Sequence, residues 1–120
     1  MSGKRFLLVC RQPPYGSAGA RAALDLAMAA AAFEQDVSLL FLGAGVSQLI
    51  AGQQSDAIGE KSLEKQLAAL PLYDVDELYA DADALQRYGL AASELSLPVQ
   101  LLDTAGIAQL FASSDIVHHF

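Results

Sequence analysis

The sequence predicts an α/β fold: a three-layer α/β/α sandwich around a mainly parallel five-stranded sheet. Three observations carry this. Phe6–Cys10 and Val37–Leu42 are apolar on both alternating faces, as strands covered by helices on both sides are. Strand-like runs alternate with helical patterns along the chain. The connections between them are short, which implies right-handed βαβ crossovers and so parallel strands. At 120 residues the chain is read as one domain, 1–120.

The elements follow in order. Phe6-Leu7-Leu8-Val9-Cys10 is the first strand. Ser17 is placed to cap a helix over 18–34. Val37–Leu42 is the second strand, and a short helix is expected over 45–51. Over 60–70, Leu63, Leu67 and Leu70 recur at helical spacing, with Lys61, Glu64 and Lys65 off that stripe. Pro71 stops this helix. Val75–Ala80 is the third strand, carrying Asp76 and Glu77. A short helix over 83–88 ends at Gly89, a candidate C′ glycine. Pro98–Leu102 is the fourth strand, with proline tolerated at its start. Thr104 is expected to cap a last helix to about 113, and Asp115–Phe120 is the fifth strand.

The first helix carries more apolar surface than a sheet can use. Arg21 and Asp25 are four apart and form one narrow polar stripe. Every other position from 20 to 33 is Ala, Leu, Met or Phe. A helix packed on one sheet needs an apolar face of only about 100°. The remainder points to a subunit interface with Ala29 and Ala30 among its contacts, because contiguous apolar surface on a globular domain usually marks a partner. The competing explanation is that alanine is a strong helix former and is exposed here without consequence.

Composition excludes several function classes. The net charge is −7, and the seven lysines and arginines are scattered. A duplex or tRNA binder shows a basic face, so no direct nucleic-acid binding is expected. No apolar stretch reaches the roughly 18 residues a membrane span needs. The start, Met1-Ser2-Gly3-Lys4-Arg5, leads straight into a strand, so neither a signal peptide nor membrane attachment is expected. Cys10 is the only cysteine, which rules out an intrachain disulfide. Together these fit a cytoplasmic protein.

Candidate chemistry is sparse. Cys10 could carry sulfur, but it lies in an apolar strand, where a free cysteine usually acts as a small hydrophobe. Gly16-Ser17-Ala18-Gly19 lies between strand and helix, where amides can hold an anion. It lacks the Lys-Ser/Thr of a P-loop and the dinucleotide spacing, so a tight turn with an N-cap is favoured. His118 and His119 are adjacent, and neighbouring strand residues point to opposite faces, which does not suit a metal. Asp74, Asp76, Glu77, Asp81 and Asp83 cluster around the third strand. They read either as a solvated edge with a helix cap or as an electrostatic match to a basic partner. No Ser-His-Asp arrangement, nucleophile elbow or paired carboxylate appears. No catalytic residue, cofactor site or metal site is expected.

Four strings in fixed order carry a family resemblance. They are Pro14-Tyr15-Gly16-Ser17, then Gly45-Val46 followed by Gln48-Leu49 and Gly52-Gln53, then Leu72-Tyr73-Asp74-Val75, then Leu85-Gln86-Arg87-Tyr88-Gly89-Leu90. With the terminal Asp115-Ile116-Val117 strand, they make the chain resemble the TusC/DsrF branch of the DsrE/F/H sulfur-relay family over nearly its whole length. The resemblance implies a DsrE/F/H-like, flavodoxin-like architecture. It implies a cytoplasmic hetero-hexamer with TusB- and TusD-like subunits, which passes persulfide sulfur through a TusE-like acceptor toward 2-thiolation of the tRNA wobble uridine. In that family the transferring cysteine sits at the end of the third strand of another subunit. The corresponding residues here are Tyr79-Ala80-Asp81-Ala82, and Cys10 does not match the position. The implied role is a non-catalytic subunit. Ala44 stands where an acidic residue is expected before Gly45-Val46. The turns 14–17 and 45–53 follow strands one and two, so they should emerge on one side of a parallel sheet. Tyr15, Val46 and Leu49 are then candidate apolar partner contacts and Gln48 a polar one. The alternatives are a DsrEFH-type subunit in sulfur oxidation, or a stand-alone flavodoxin-like module binding a small anion at the Gly16–Gly19 turn.

Overall fold

A computed structural model of the chain describes residues 5–11, 19–33, 35–49, 69–73, 75, 77–90 and 99–120. Five strands form one sheet: β1 (Arg5–Cys10), β2 (Asp36–Phe41), β3 (Glu77–Asp81), β4 (Gln100–Leu102) and β5 (Ile116–His119). Their order is β4-β3-β2-β1-β5, and every pair is parallel. β2 is the middle strand and β1 lies beside it, both interior, because their apolar runs can be covered on both faces. The ends of β1 and β5 are tied reciprocally: Arg5 N donates to the Asp115 carboxylate at 2.8 Å and Asp115 N donates to Arg5 O at 2.9 Å.

Strand alternation sorts the core into two layers. Leu8, Cys10, Leu39, Phe41, Leu78 and Ala80 face α1 (Gly19–Ala32), the 3-10 helix η1 (Gly43–Leu49), η2 (Leu70–Tyr73) and α2 (Ala82–Arg87). Leu7, Val9 and Leu40 face the opposite way, against Leu110 of α3 (Thr104–Ala112). This is the expected three-layer α/β/α sandwich with its parallel sheet. No helix among the described residues is long and apolar enough to cross a membrane.

α1 buries Ala23, Leu24 and Ala27 and turns Ala22, Asp25, Ala29 and Ala32 outward, with Phe33 exposed just after it. Those sets recur three or four residues apart, so they lie on opposite sides of one helix. The side chain of Arg21 lies outside the described residues, and so do Ser17 and the anion-turn candidates 16–18.

Local chemistry explains the element ends, with some departures from expectation. α2 starts at Asp81, whose carboxylate accepts from Asp83 N and Ala84 N at 3.1 and 3.3 Å. It stops where Leu90 N bonds Leu85 O and Gly89 N bonds Gln86 O, a Schellman closure. Gly89 has φ +68°, as expected of the C′ glycine. Thr104 is the first residue of α3 and not its cap. Asp103 takes that place, its carboxylate accepting from Gly106 N at 2.8 Å, which also sets a negative charge at the positive end of the helix. The short helix expected over 45–51 begins earlier and is 3-10 in form. β3 begins at Glu77, because Val75 is already buried in the turn before it, with its N bonded to Leu70 O at 3.1 Å. Of the helix expected over 60–70, only Ala69 and Leu70 are described. The chain then runs through Pro71 as the 3-10 turn η2. Asp74, Asp76 and Pro98 lie outside the described residues.

Candidate functional site

Cys10 ends β1 on the α1 side of the sheet and is only 1% exposed. Burial pushes its thiol up to about 12. Thiolate, not thiol, is the nucleophile, and next to nothing of this side chain ionises at neutral pH. Arg11 follows it in the chain, but Arg11 Nε donates to His119 Nδ1 at 3.3 Å, on the other face. Among the described residues, nothing lowers the pKa of this thiol.

An alkaline prediction follows from the raised thiol. Below the unfolded value of 9.0 both states hold the proton and nothing changes. Between 9.0 and about 12 the unfolded chain loses it while the folded chain keeps it, so stability falls as pH rises. The slope is about 1.4 kcal/mol per pH unit from this one group. Denaturant melts at pH 8 and 10 should show a smaller pH loss for Cys10→Ala than for the parent. An aromatic disulfide reagent should label Cys10 only as fast as the chain opens. Rapid labelling of the native protein would contradict the burial argument.

The end of β3 holds no thiol. Its last residue, Asp81, commits its carboxylate to the start of α2. His118 and His119 project to opposite faces. His119 stacks on Phe111 with ring centroids 6.1 Å apart, and His118 lies 6.5 Å from Phe120. No group of three or more His, Cys, Asp or Glu among the described residues is placed to hold a metal ion.

The candidate partner contacts separate. Ala29 is exposed, whereas Ala30 is half-buried and packs against the core. Val46 is fully buried in the core. It therefore cannot meet a partner, which corrects its assignment as a contact. Gln48 and Leu49 close η1, but their side chains lie outside the described residues, and so does Tyr15. Sequence reasoning missed Phe33 and Leu72, which are 79% and 84% exposed. Phe33 directly follows α1 and Leu72 lies in η2, elements in contact at the end of the sheet where β2 and β3 begin. The only sequence signal was a bulky residue ending an alanine-rich helix, and a leucine just after Pro71.

The sequence matches the DsrE/DsrF-like family over residues 4–120. The chain belongs to this family. As a DsrE/DsrF-like protein it is 40% identical to a "Protein TusC homolog" of Pseudomonas aeruginosa, covering 92% of this chain and 93% of that one. It is 34% identical to the "Intracellular sulfur oxidation protein DsrF" of Allochromatium vinosum, covering 98% and 96%. The crystal structure of the ychN protein from E. coli superposes with a TM-score of 0.85 at 24% identity, covering 98% of this chain and all of that one, which establishes the shared fold. In this DsrE/DsrF-like chain the Gly45-Val46 string has a physical reason. A Cβ on Gly45 would lie 1.8 Å from the carbonyl oxygen of Cys10, so only glycine lets η1 cross the end of β1. Leu42 N also bonds that oxygen, at 3.0 Å.

Proposed function

We propose that this chain is a non-catalytic subunit of a cytoplasmic TusBCD-like sulfur-relay complex, serving 2-thiolation of the tRNA wobble uridine. The observation that carries the proposal is the state of its sulfur chemistry. The sole cysteine is sealed in the core with its thiol at about 12, and β3 ends in a helix cap instead of a thiol. A family member without a usable nucleophile contributes by holding a cysteine-bearing neighbour in place. TusB- and TusD-like subunits are the proposed partners, a TusE-like protein the indirect acceptor, and RNA is not touched by this chain. Its net charge of −7 supports that last point, since phosphate repels it.

A deletion strain tests the role. Loss of the chain should abolish 2-thiouridine in digested tRNA, and Cys10→Ala should restore it. Failure of Cys10→Ala to restore thiolation, with the complex assembled, would sink the non-catalytic reading. Normal thiolation in the deletion strain, with impaired oxidation of stored sulfur, would favour the role named for the Allochromatium relative. Tyr15, Gln48, Leu49 and Ala29 are the proposed contacts. A Tyr15→Ala, Leu49→Asp variant should co-purify with the partner subunits at least about tenfold less, the effect of losing roughly 1.4 kcal/mol. It should keep the parent's circular dichroism. Full co-purification would place the partner surface elsewhere.

A further inference from the structure

The strand order β4-β3-β2-β1-β5 runs down in sequence to β1 and breaks there, with β5 beyond it. The chain leaves β1 through α1 on one face of the sheet and reaches β5 through α3 on the other. β1 and β5 are therefore the neighbours at which the winding reverses. Open α/β sheets take ligands outside the carboxyl ends of such a pair. Arg11 directly follows the last residue of β1, and His119 is the last residue of β5.

These two side chains hold each other. Arg11 Nε donates to His119 Nδ1 at 3.3 Å. The imidazole stacks on Phe111 of α3, with ring centroids 6.1 Å apart and 18° between the planes. The main chain beneath is tied as well: Arg11 N donates to Phe120 O at 3.0 Å, and Phe120 N to Val9 O at 2.9 Å. Three elements thus fix the pair.

The arrangement sets what the pair presents outward. A neutral imidazole has one N–H and one acceptor nitrogen. Because Nδ1 accepts from Arg11, the proton resides on Nε2. A ligand meets the guanidinium Nη groups and the Nε2–H, all donors beside a positive charge. Among the described residues, His119 is the only hydrogen-bonding or ionic partner of the Arg11 side chain. The planar fork of an arginine matches an oxyanion with two oxygens on one centre. The net charge of −7 works against a polyanion, so the fit is to one small group.

We propose that Arg11 and His119 form a site for a single oxyanion, a carboxylate or a phosphate. That chemistry is shared by free anions and by a carboxylate side chain of another protein. The proposal goes beyond the relay role, and each can fail without the other.

The test uses the full chain, isotope-labelled, with Arg11 Nε and the His119 ring nitrogens followed by NMR. Inorganic phosphate, acetate and a blocked acetyl-Gly-Glu-Gly amide are titrated, with chloride at matched ionic strength as the control. Saturable shifts with any of the three, and none with chloride, support the site. Tighter binding of the peptide assigns it to a protein side chain, and tighter binding of phosphate or acetate to a free anion. Arg11→Gln should weaken the tightest probe about fivefold or more. His119→Phe, which keeps a ring against Phe111, should weaken it about twofold to fivefold. Both side chains are exposed, so the fold tolerates either change. In the free protein the His119 ring should carry its proton on Nε2. No saturation, an equal response to chloride, variants that bind like the parent, or a proton on Nδ1 would overturn the proposal.

Discussion

Replacing Gly45 with alanine is expected to cost about 3 kcal/mol of stability or more, read as a shift in the urea midpoint at unchanged slope. The methyl group would lie 1.8 Å from the Cys10 carbonyl oxygen and 2.6 Å from its carbon. Both are backbone atoms of β1, an interior strand, so no side chain can swing aside. That oxygen already accepts from Leu42 N, and the carbonyl of Leu42 accepts from Gly45 N at 2.8 Å. Moving η1 outward would break this chain of hydrogen bonds and lift Val46 out of the core. A control separates collision from backbone strain. Gly89 has φ +68°, but nothing lies within 4 Å of its would-be Cβ. Gly89→Ala should therefore cost only the left-handed penalty of about 1–2 kcal/mol. Equal costs at the two sites would show that η1 does not cross β1 as closely as described.

Ala29→Glu is expected to split the proposed relay complex while leaving the chain folded. Ala29 points outward on α1, in a stripe whose single charge among the described side chains is Asp25. A carboxylate forced into an apolar interface without a partner costs about 3–5 kcal/mol, two orders of magnitude or more in association. The structure makes Ala29 the cleaner probe of the two alanines. Ala30 is half-buried against the core, so Ala30→Glu should destabilise the chain itself. Thermal melts of the isolated chain and size-exclusion of the co-expressed complex distinguish the effects. A parent-like elution profile for Ala29→Glu would mean that α1 merely faces solvent. Phe33→Asp, at a position 79% exposed, extends the test toward Leu72.

The architecture was legible in the sequence because its determinants are local and repetitive. Phe6–Cys10 and Val37–Leu42 are apolar on both faces, and that pattern alone demands helices above and below a parallel sheet. Gly89 marks an element end by backbone chemistry that needs no neighbours. The buried state of the one cysteine was also legible, since Cys10 is placed within an apolar run. The same holds for the charge of −7.

What tertiary structure decided is who faces whom. Asp103, and not Thr104, caps α3, because the cap goes to the group whose geometry reaches Gly106 N. Val46 looked like a surface residue in a turn and is instead a core plug. Ala29 and Ala30 are adjacent in sequence, but about 100° of helical rotation puts one in solvent and the other on the core. Phe33 and Leu72 meet the same end of the molecule only because α1 packs against η2. Arg11 and His119 meet only because β5 pairs with β1, a property of the path through space. Residue type and period can be read along the chain. Burial, contact and electrostatic surroundings arise between segments far apart in it, so they become fixed only when the sheet is assembled.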